Sequence, residues 1–235
     1  MKDIGPELLE ILKKEFSDNV EKSSEITRLM KLIKDGTADY KTVEDFAYCI
    51  GEALAKTFGD KLSSDILPDG RLYYNIAERV VRPLLEDDYK LISSAAADVQ
   101  ASLNAAAGIG IKAQKAELNH NRIKGIIDKV SNAEHFDDVS WVLDEPVKNF
   151  SLNVVDETIR KNVNFHGKAG LSPKIIRKAE HKCCKWCSML AGEYTYPDVP
   201  DDVYRRHENC RCIVEYDPGY GRRQNVHSKQ WQTDS

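Results

Sequence analysis

The sequence predicts a mainly α protein: a helical N-terminal body followed by a small C-terminal subdomain, a β-hairpin stapled by cysteine and histidine side chains. Three observations carry that expectation. Apolar residues recur at helical spacing from Leu8 to Ile159. Proline, glycine and capping residues punctuate that pattern at helix-length intervals. After Ser172 the character changes, with five of the six cysteines crowded between Cys183 and Cys212 and short alternating runs beside them.

The first element opens at Pro6, a residue suited to the first turn of a helix, and carries Leu8, Leu9, Leu12, Phe16 and Val20 on one stripe. Ser23-Ser24 breaks the stripe, Ile26, Leu29, Met30 and Ile33 resume it, and Gly36 stops it. Thr42-Val-Glu-Asp45 resembles a capping box ahead of Phe46, Ile50, Leu54 and Phe58, with Cys49 as a small core residue. Pro68-Asp69-Gly70 reads as a turn. A long pattern then runs from Leu72 through Val80, Leu85, Ile92 and Leu103, with Pro83 expected to kink or split it and Gly108 and Gly110 to end it. Its stretch from Ser93 to Gly108 is rich in alanine and serine, so neighbouring backbones can approach closely.

Ile123, Ile126, Ile127 and Val130 mark a further helix, and Phe136, Val139, Trp141 and Leu143 a short one. Pro146 opens the next, carrying Val147, Phe150, Val154 and Ile159. His166 to Gly170 reads as a loop, and Ser172-Pro173 as a helix start leading Ile175, Ile176 and Ala179 into the cysteines. Two strands are expected to pair as an antiparallel hairpin, Gly192 to Tyr196 and Arg211 to Tyr216, with a turn-rich loop between them. The domain organisation that follows is a helical body over 1–166, a metal-binding subdomain over 167–221, and a mobile tail or partner-binding arm over 222–235.

Composition narrows the function classes. The chain has 235 residues, a net charge of −4, 41% hydrophobic and 31% charged residues, enough to build a core under a polar surface. No apolar run approaches the roughly 20 residues that cross a bilayer, so no membrane partner is expected. The slight acidity argues against a protein devoted to coating nucleic acid. Arg222, Arg223 and Lys229 nevertheless make the tail locally basic.

The chemistry concentrates in two half-sites. Cys184-Lys-Trp-Cys187 is a C-x-x-C pair, and nineteen residues separate it from His207-Glu-Asn-Cys210-Arg-Cys212. Such half-sites joined by a loop can close a tetrahedral site, because Zn²⁺ takes four thiolate or imidazole ligands and each pair presents two of them. Structural Zn²⁺ is the expected cofactor. Its candidate ligands are Cys184, Cys187, His207, Cys210 and Cys212, and spacing alone leaves open which two of the last three complete the set. His181, three residues before Cys184, competes with His207, and Cys183 must point elsewhere. A disulfide framework is the weaker reading, since Met1 to Pro6 has no apolar leader run. A thioredoxin-like redox pair is the third reading, but the C-x-x-C sits at the end of a helical stretch and no parallel-strand pattern surrounds it; reduced structural thiols are the plain alternative. The sequon at Asn149 is discounted for want of a secretion signal.

The segment Cys184-Lys-Trp-Cys187-Ser-Met-Leu190-Ala-Gly192, followed by His207-Glu-Asn-Cys210-Arg-Cys212, resembles the minor head proteins of tailed phages, the Mu F-like head-morphogenesis group. Gly167-Lys-Ala-Gly170-Leu-Ser172 is similar to the lead-in of relatives from phages of Gram-positive hosts. The likeness covers about a third of the chain, and Glu208 stands where the family commonly has proline. The resemblance implies a virion structural protein of the capsid interior with no enzymatic activity. Its partners would be the major capsid protein or the portal, with self-association in the lattice and a DNA contact through the tail. Some relatives carry appended toxin domains; the about two dozen residues after Cys212 are too few for one.

Two rival functions share the same residues. A metal-dependent nuclease of the HNH sort would use His181 or His207 as base beside Glu180, Asp202 and Asn209. A zinc-ribbon nucleic-acid adaptor would present Tyr194, Tyr196, Lys182, Lys185, Arg205, Arg206 and Arg211. Structural tyrosines and solvated charges explain those residues equally well.

Overall fold

The structure is a computed structural model that describes residues 3–180, 183–207, 209–219, 223–224 and 231–232. It is mainly helical with a small antiparallel sheet near the C-terminus.

Six helices form the body: α1 Gly5–Lys22, α2 Ser24–Lys34, α3 Tyr40–Lys61, α4 Tyr74–Ala106, α5 His120–Ser131 and α6 Glu145–Lys168. Several start for a local reason. Ser23 ends α1 and caps α2, its hydroxyl accepting the Ile26 N–H at 3.2 Å. At α3 the capping box is headed by Asp39, not Thr42: Asp39 Oδ1 accepts the Thr42 N–H at 2.8 Å, and Thr42 Oγ1 accepts the Asp39 N–H in return. The expected box was one turn late because Thr42 answers the cap instead of making it. Asn119 caps α5, and Pro146 lies in the first turn of α6.

Pro83 does not split the long helix. α4 continues through it, with Val80, Val81, Leu84 and Leu85 around it fully buried against neighbouring helices, and that packing outweighs the lost backbone hydrogen bond. The expected short helix after Phe136 is two 3₁₀ turns, Phe136–Asp138 and Ser140–Leu143. His166, Gly167 and Lys168, expected in a loop, complete the last turn of α6.

α3 and α6 are the central pair, and α4 packs on both. α3 and α6 approach closely at Gly51, where an added Cβ would stand 2.6 Å from Ser151 Oγ and 3.0 Å from Lys148 Cα. Beside it Asp88 of α4 is fully buried, 2.9 Å from Ser151 Oγ, which lies 3.1 Å from the Val147 carbonyl. A second buried chain runs from the Tyr40 hydroxyl to Gln100, on to Asn104, and to the Ile111 carbonyl. It fixes the irregular segment that leaves α4.

The C-terminal part differs from the expected hairpin. Residues Lys174–Lys178 are a strand, β1, not a helix. β2 (Gly192–Thr195) and β3 (Ile213–Asp217) both pair antiparallel with β1 and lie on either side of it. The Ile175, Ile176, Ala179 spacing suits a helix on paper. However, the run is short, β-branched and opened by Pro173, and its burial alternates: Ile175 and Arg177 face inward while their neighbours do not. The sheet docks on the body through Ile175, Val214 and Tyr216, which share one core with Phe46, Ile50 and Phe150. Tyr216 also meets the buried His166 ring by a hydrogen bond to Nδ1. Arg223–Gln224 pairs antiparallel with Trp231–Gln232 in a separate two-stranded ladder. No described helix is long and apolar enough to cross a membrane.

Candidate metal centre

Between β1 and β2 the chain makes one short helix, α7 (Lys185–Met189). Cys184 caps it, its Sγ accepting the Cys187 N–H at 3.5 Å. This turn is how C-x-x-C places two sulfurs on one side. The second half-site is a turn in which the Cys210 N–H donates to the His207 carbonyl at 3.2 Å. Asn209 makes that turn at φ 57°, a left-handed conformation that asparagine tolerates. Cys212 lies just before β3.

The fold brings all five predicted ligands together. Cys184, Cys187 and His207 offer ligand atoms within 4.8 Å of one another, and so do Cys187, Cys210 and Cys212. Cys187 belongs to both triads. His207 Nε2 lies 2.9 Å from Cys187 Sγ and 3.3 Å from Cys184 Sγ, and the Cys187 and Cys210 sulfurs are 3.7 Å apart. Cys187, Cys210 and Cys212 are buried, His207 is half-buried and Cys184 is exposed. The cluster can hold a metal ion. Cys183 packs nearby but belongs to neither triad, and His181 falls outside the described residues.

Electrostatics divide the thiols. The Cys187 N–H holds the Cys184 thiol below its ordinary pKa. Burial, with the Cys212 and Cys210 thiols beside it, pushes Cys187 up, and burial also raises Cys210. A thiol so placed resists ionising alone, whereas a coordinated divalent cation removes its proton outright.

Around the cluster stand groups that spacing did not reveal. Arg177 of β1 is among the largest fully buried side chains. Its Nη1 donates to the Val203 and Arg205 carbonyls, and its Nη2 points at the sulfurs of Cys187 and Cys210, at 3.9 and 3.8 Å. Trp186 lies beneath the guanidinium and meets the His207 ring edge-on at 5.9 Å. Arg206, expected among surface cations, is instead buried in an ion network with the body. It donates to Asp156 of α6 at 2.5 and 2.8 Å, to Glu44 of α3 at 3.0 Å, and to the Cys212 carbonyl at 2.8 Å. Glu44 also accepts the Val214 N–H at 2.8 Å. Burial raises the Glu44 carboxyl and Arg206 opposes it.

Other candidates are engaged elsewhere. Asp202 pairs with Arg205 at 2.8 Å on the surface, and Arg211 stacks on Tyr48 of α3. The Tyr194 hydroxyl donates to the Leu190 carbonyl, and Tyr196 packs against Gly167. Lys182 lies outside the described residues. Comparison of the chain with protein-family models, curated proteins and solved structures finds no match.

Proposed function

We propose that this chain is a non-enzymatic structural protein whose C-terminal lobe is clasped by one zinc ion, and that it serves as a minor head protein of a tailed phage. The observation that carries this reading is the convergence of the two half-sites on Cys187. Cys184-x-x-Cys187 and His207-x-x-Cys210-x-Cys212, the segments that resemble the head-morphogenesis group, offer one thiolate-rich cluster. Three sulfurs and an imidazole are the ligand chemistry of a structural zinc site. In a zinc tetrahedron two sulfurs stand about 3.8 Å apart, and the Cys187–Cys210 separation of 3.7 Å fits such an edge.

A closed, largely thiolate cluster suits folding better than hydrolysis, which needs an open coordination position. Asp202, one of the two acidic residues the nuclease reading would draw on, is paired with Arg205 on the surface. In the reading we favour, the helical body supplies contact area toward the shell or portal from the capsid interior. Its negative charge keeps it against protein and away from packaged DNA, and the tail's Arg222, Arg223 and Lys229, positions whose side chains fall outside the described residues, supply the positive charge for a contact with the genome.

The test has two arms. Purified protein kept reduced should contain about one zinc per chain, and in intact virions the chain should resist external protease until the shell is opened. DNA cleavage in Mg²⁺ or Mn²⁺ that disappears in His207→Ala would replace this reading with the nuclease. Absence of the chain from purified particles would end the head-protein assignment.

A further inference from the structure

We infer that Arg177 is the buried counter-ion of the metal centre, and that the ligand set it completes is Cys184, Cys187, His207 and Cys210, with Cys212 left out. This inference rests on the metal-site part of the proposed function and not on the phage assignment.

The argument begins with a charge that has no ordinary partner. Arg177 is 2% exposed, and a guanidinium does not shed its proton. A buried cation of this kind is strongly unfavourable unless an anion faces it. Among the described residues no carboxylate reaches it. Its partners are two carbonyls, two sulfurs and the face of the Trp186 ring, none of them an anion unless a sulfur is ionised, and its Nε has no hydrogen-bond partner. The nearby buried carboxylates, Glu44 and Asp156, are taken by Arg206. The anion facing Arg177 must therefore reside on sulfur.

A divalent ion held by three thiolates and a neutral imidazole carries one net negative charge, which one guanidinium cancels. Two thiolates with two imidazoles would be neutral and leave Arg177 uncompensated; four thiolates would leave a surplus. The positions of the hydrogen-bond donors then choose between the two sulfurs. Arg177 Nη2 reaches Cys210 as well as Cys187. The backbone N–H of Cys187 donates to the Cys184 sulfur at 3.5 Å, so in each half-site the first cysteine receives a donor, a backbone amide at Cys184 and the guanidinium at Cys210, the arrangement a metal-bound thiolate favours. Cys212 serves through its backbone, its carbonyl accepting from Arg206. Metal binding closes the remaining gap, since only Cys187 belongs to both triads.

The experiment is a chelator competition with zinc, paired with cobalt(II) spectra that count sulfur ligands, on full-length wild type, Cys210→Ser, Cys212→Ser, Arg177→Met and Arg177→Lys. Cys212→Ser should keep the three-thiolate spectrum and bind zinc within about three-fold of wild type, while Cys210→Ser loses one thiolate's intensity and at least about ten-fold in affinity. Arg177→Met keeps the apolar stem and should weaken zinc by about 10–100-fold, with Arg177→Lys recovering part of the loss. Loss of a thiolate in Cys212→Ser but not in Cys210→Ser overturns the ligand set. Wild-type affinity in Arg177→Met overturns the counter-ion. If Arg177→Met misfolds, as circular dichroism would show, Arg177→Lys against wild type decides, with equal affinity in Arg177→Lys and a two-thiolate wild-type spectrum counting against the charge argument. A wild type that binds no metal under reducing conditions refutes the zinc reading itself, a separate failure visible before any variant is made.

Discussion

The helical body and the C-terminal lobe are held together by different physics. The body buries continuous apolar surface: Leu12, Val43, Ile50, Leu54, Val80, Leu84, Ile127 and Val155 are all inaccessible, and dispersed burial of this kind tolerates the loss of any one contact. The lobe has a separate cluster whose buried members are three cysteines, Cys187, Cys210 and Cys212. Its strands are four and five residues long. Beyond Ile175, Val214 and Tyr216, which join the body's core, its order rests on a few strong, directional interactions, the cysteine–histidine cluster and the Arg206 network, and in the zinc-loaded form proposed above removing one of them should remove much of the whole. The contrast teaches where each region is vulnerable: the body to volume changes, the lobe to changes of charge and ligation.

The sharpest way to break the comparison is at Cys187, shared by both triads. Cys187→Ser should reduce zinc content from about one per chain to near zero and withdraw stabilisation on the order of 10 kcal/mol from the lobe. Hydrogen exchange should then show β1, β2 and β3 unprotected while α1 to α6 keep their circular dichroism. If the helices melt with the lobe, the two regions are one cooperative unit and the contrast is false.

The next effects set the two kinds of interaction against each other. Arg206→Met leaves Glu44 and Asp156 buried without their cation, and should cost about 3–5 kcal/mol in urea unfolding of the zinc-loaded protein. Leu54→Ala, in the body alone, should cost about 2–5 kcal/mol by transfer and cavity terms. Arg206→Met should also weaken zinc, whereas Leu54→Ala should leave zinc affinity as it was. Equal effects on zinc from both would show that the metal responds to global stability rather than to the docking contact.

The smallest effect, over any single pH unit, concerns the body. Burial raises the Asp88 carboxyl from its ordinary 3.8 to about 8. The folded protein therefore keeps a proton that the unfolded chain has released, so this residue's contribution is fullest below about pH 4 and declines as pH climbs toward 8, by at most about 1.4 kcal/mol per unit. The geometry agrees: a protonated Asp88 donates to Ser151 Oγ, freeing the Ser151 hydroxyl proton for the Val147 carbonyl. Asp88→Asn should flatten that decline in stability measured between pH 5 and 8. An unchanged slope would place the pH dependence elsewhere.

Much of this division was legible in the amino-acid order. The body's stripes were long enough for the 3.6-residue period to show, and the ligand types and spacing marked the metal centre. β1 was misread because Ile175, Ile176 and Ala179 satisfy either period over so few residues. The ionic parts were illegible for a different reason. Nothing local marks Arg206 as buried, because its partners Asp156 and Glu44 lie 50 and 162 positions away. Arg177 is likewise silent until β1 is known to be a strand whose inward face ends at the cysteines. Charged residues read as surface by default, and only tertiary structure shows which ones have been taken inside.

One stretch of chain, residues 205–214, carries both jobs at once. His207, Cys210 and Cys212 face the cluster, while Arg206, the Cys212 carbonyl and the Val214 amide fasten the same backbone to α3 and α6. With an ion bound as proposed, ligand occupancy and lobe docking would be reciprocal: by whatever factor the ion tightened the lobe on the body, a surface that pressed the lobe onto the body would tighten the ion by the same factor. A neighbouring molecule that grips only α3 and the lobe, never approaching a sulfur, would raise the chelator concentration needed to strip the site. One that pried them apart would release the ion. In the zinc-loaded form proposed above, the chain would carry a chemical gauge of its own mechanical seating, readable from outside by how tightly it holds its metal.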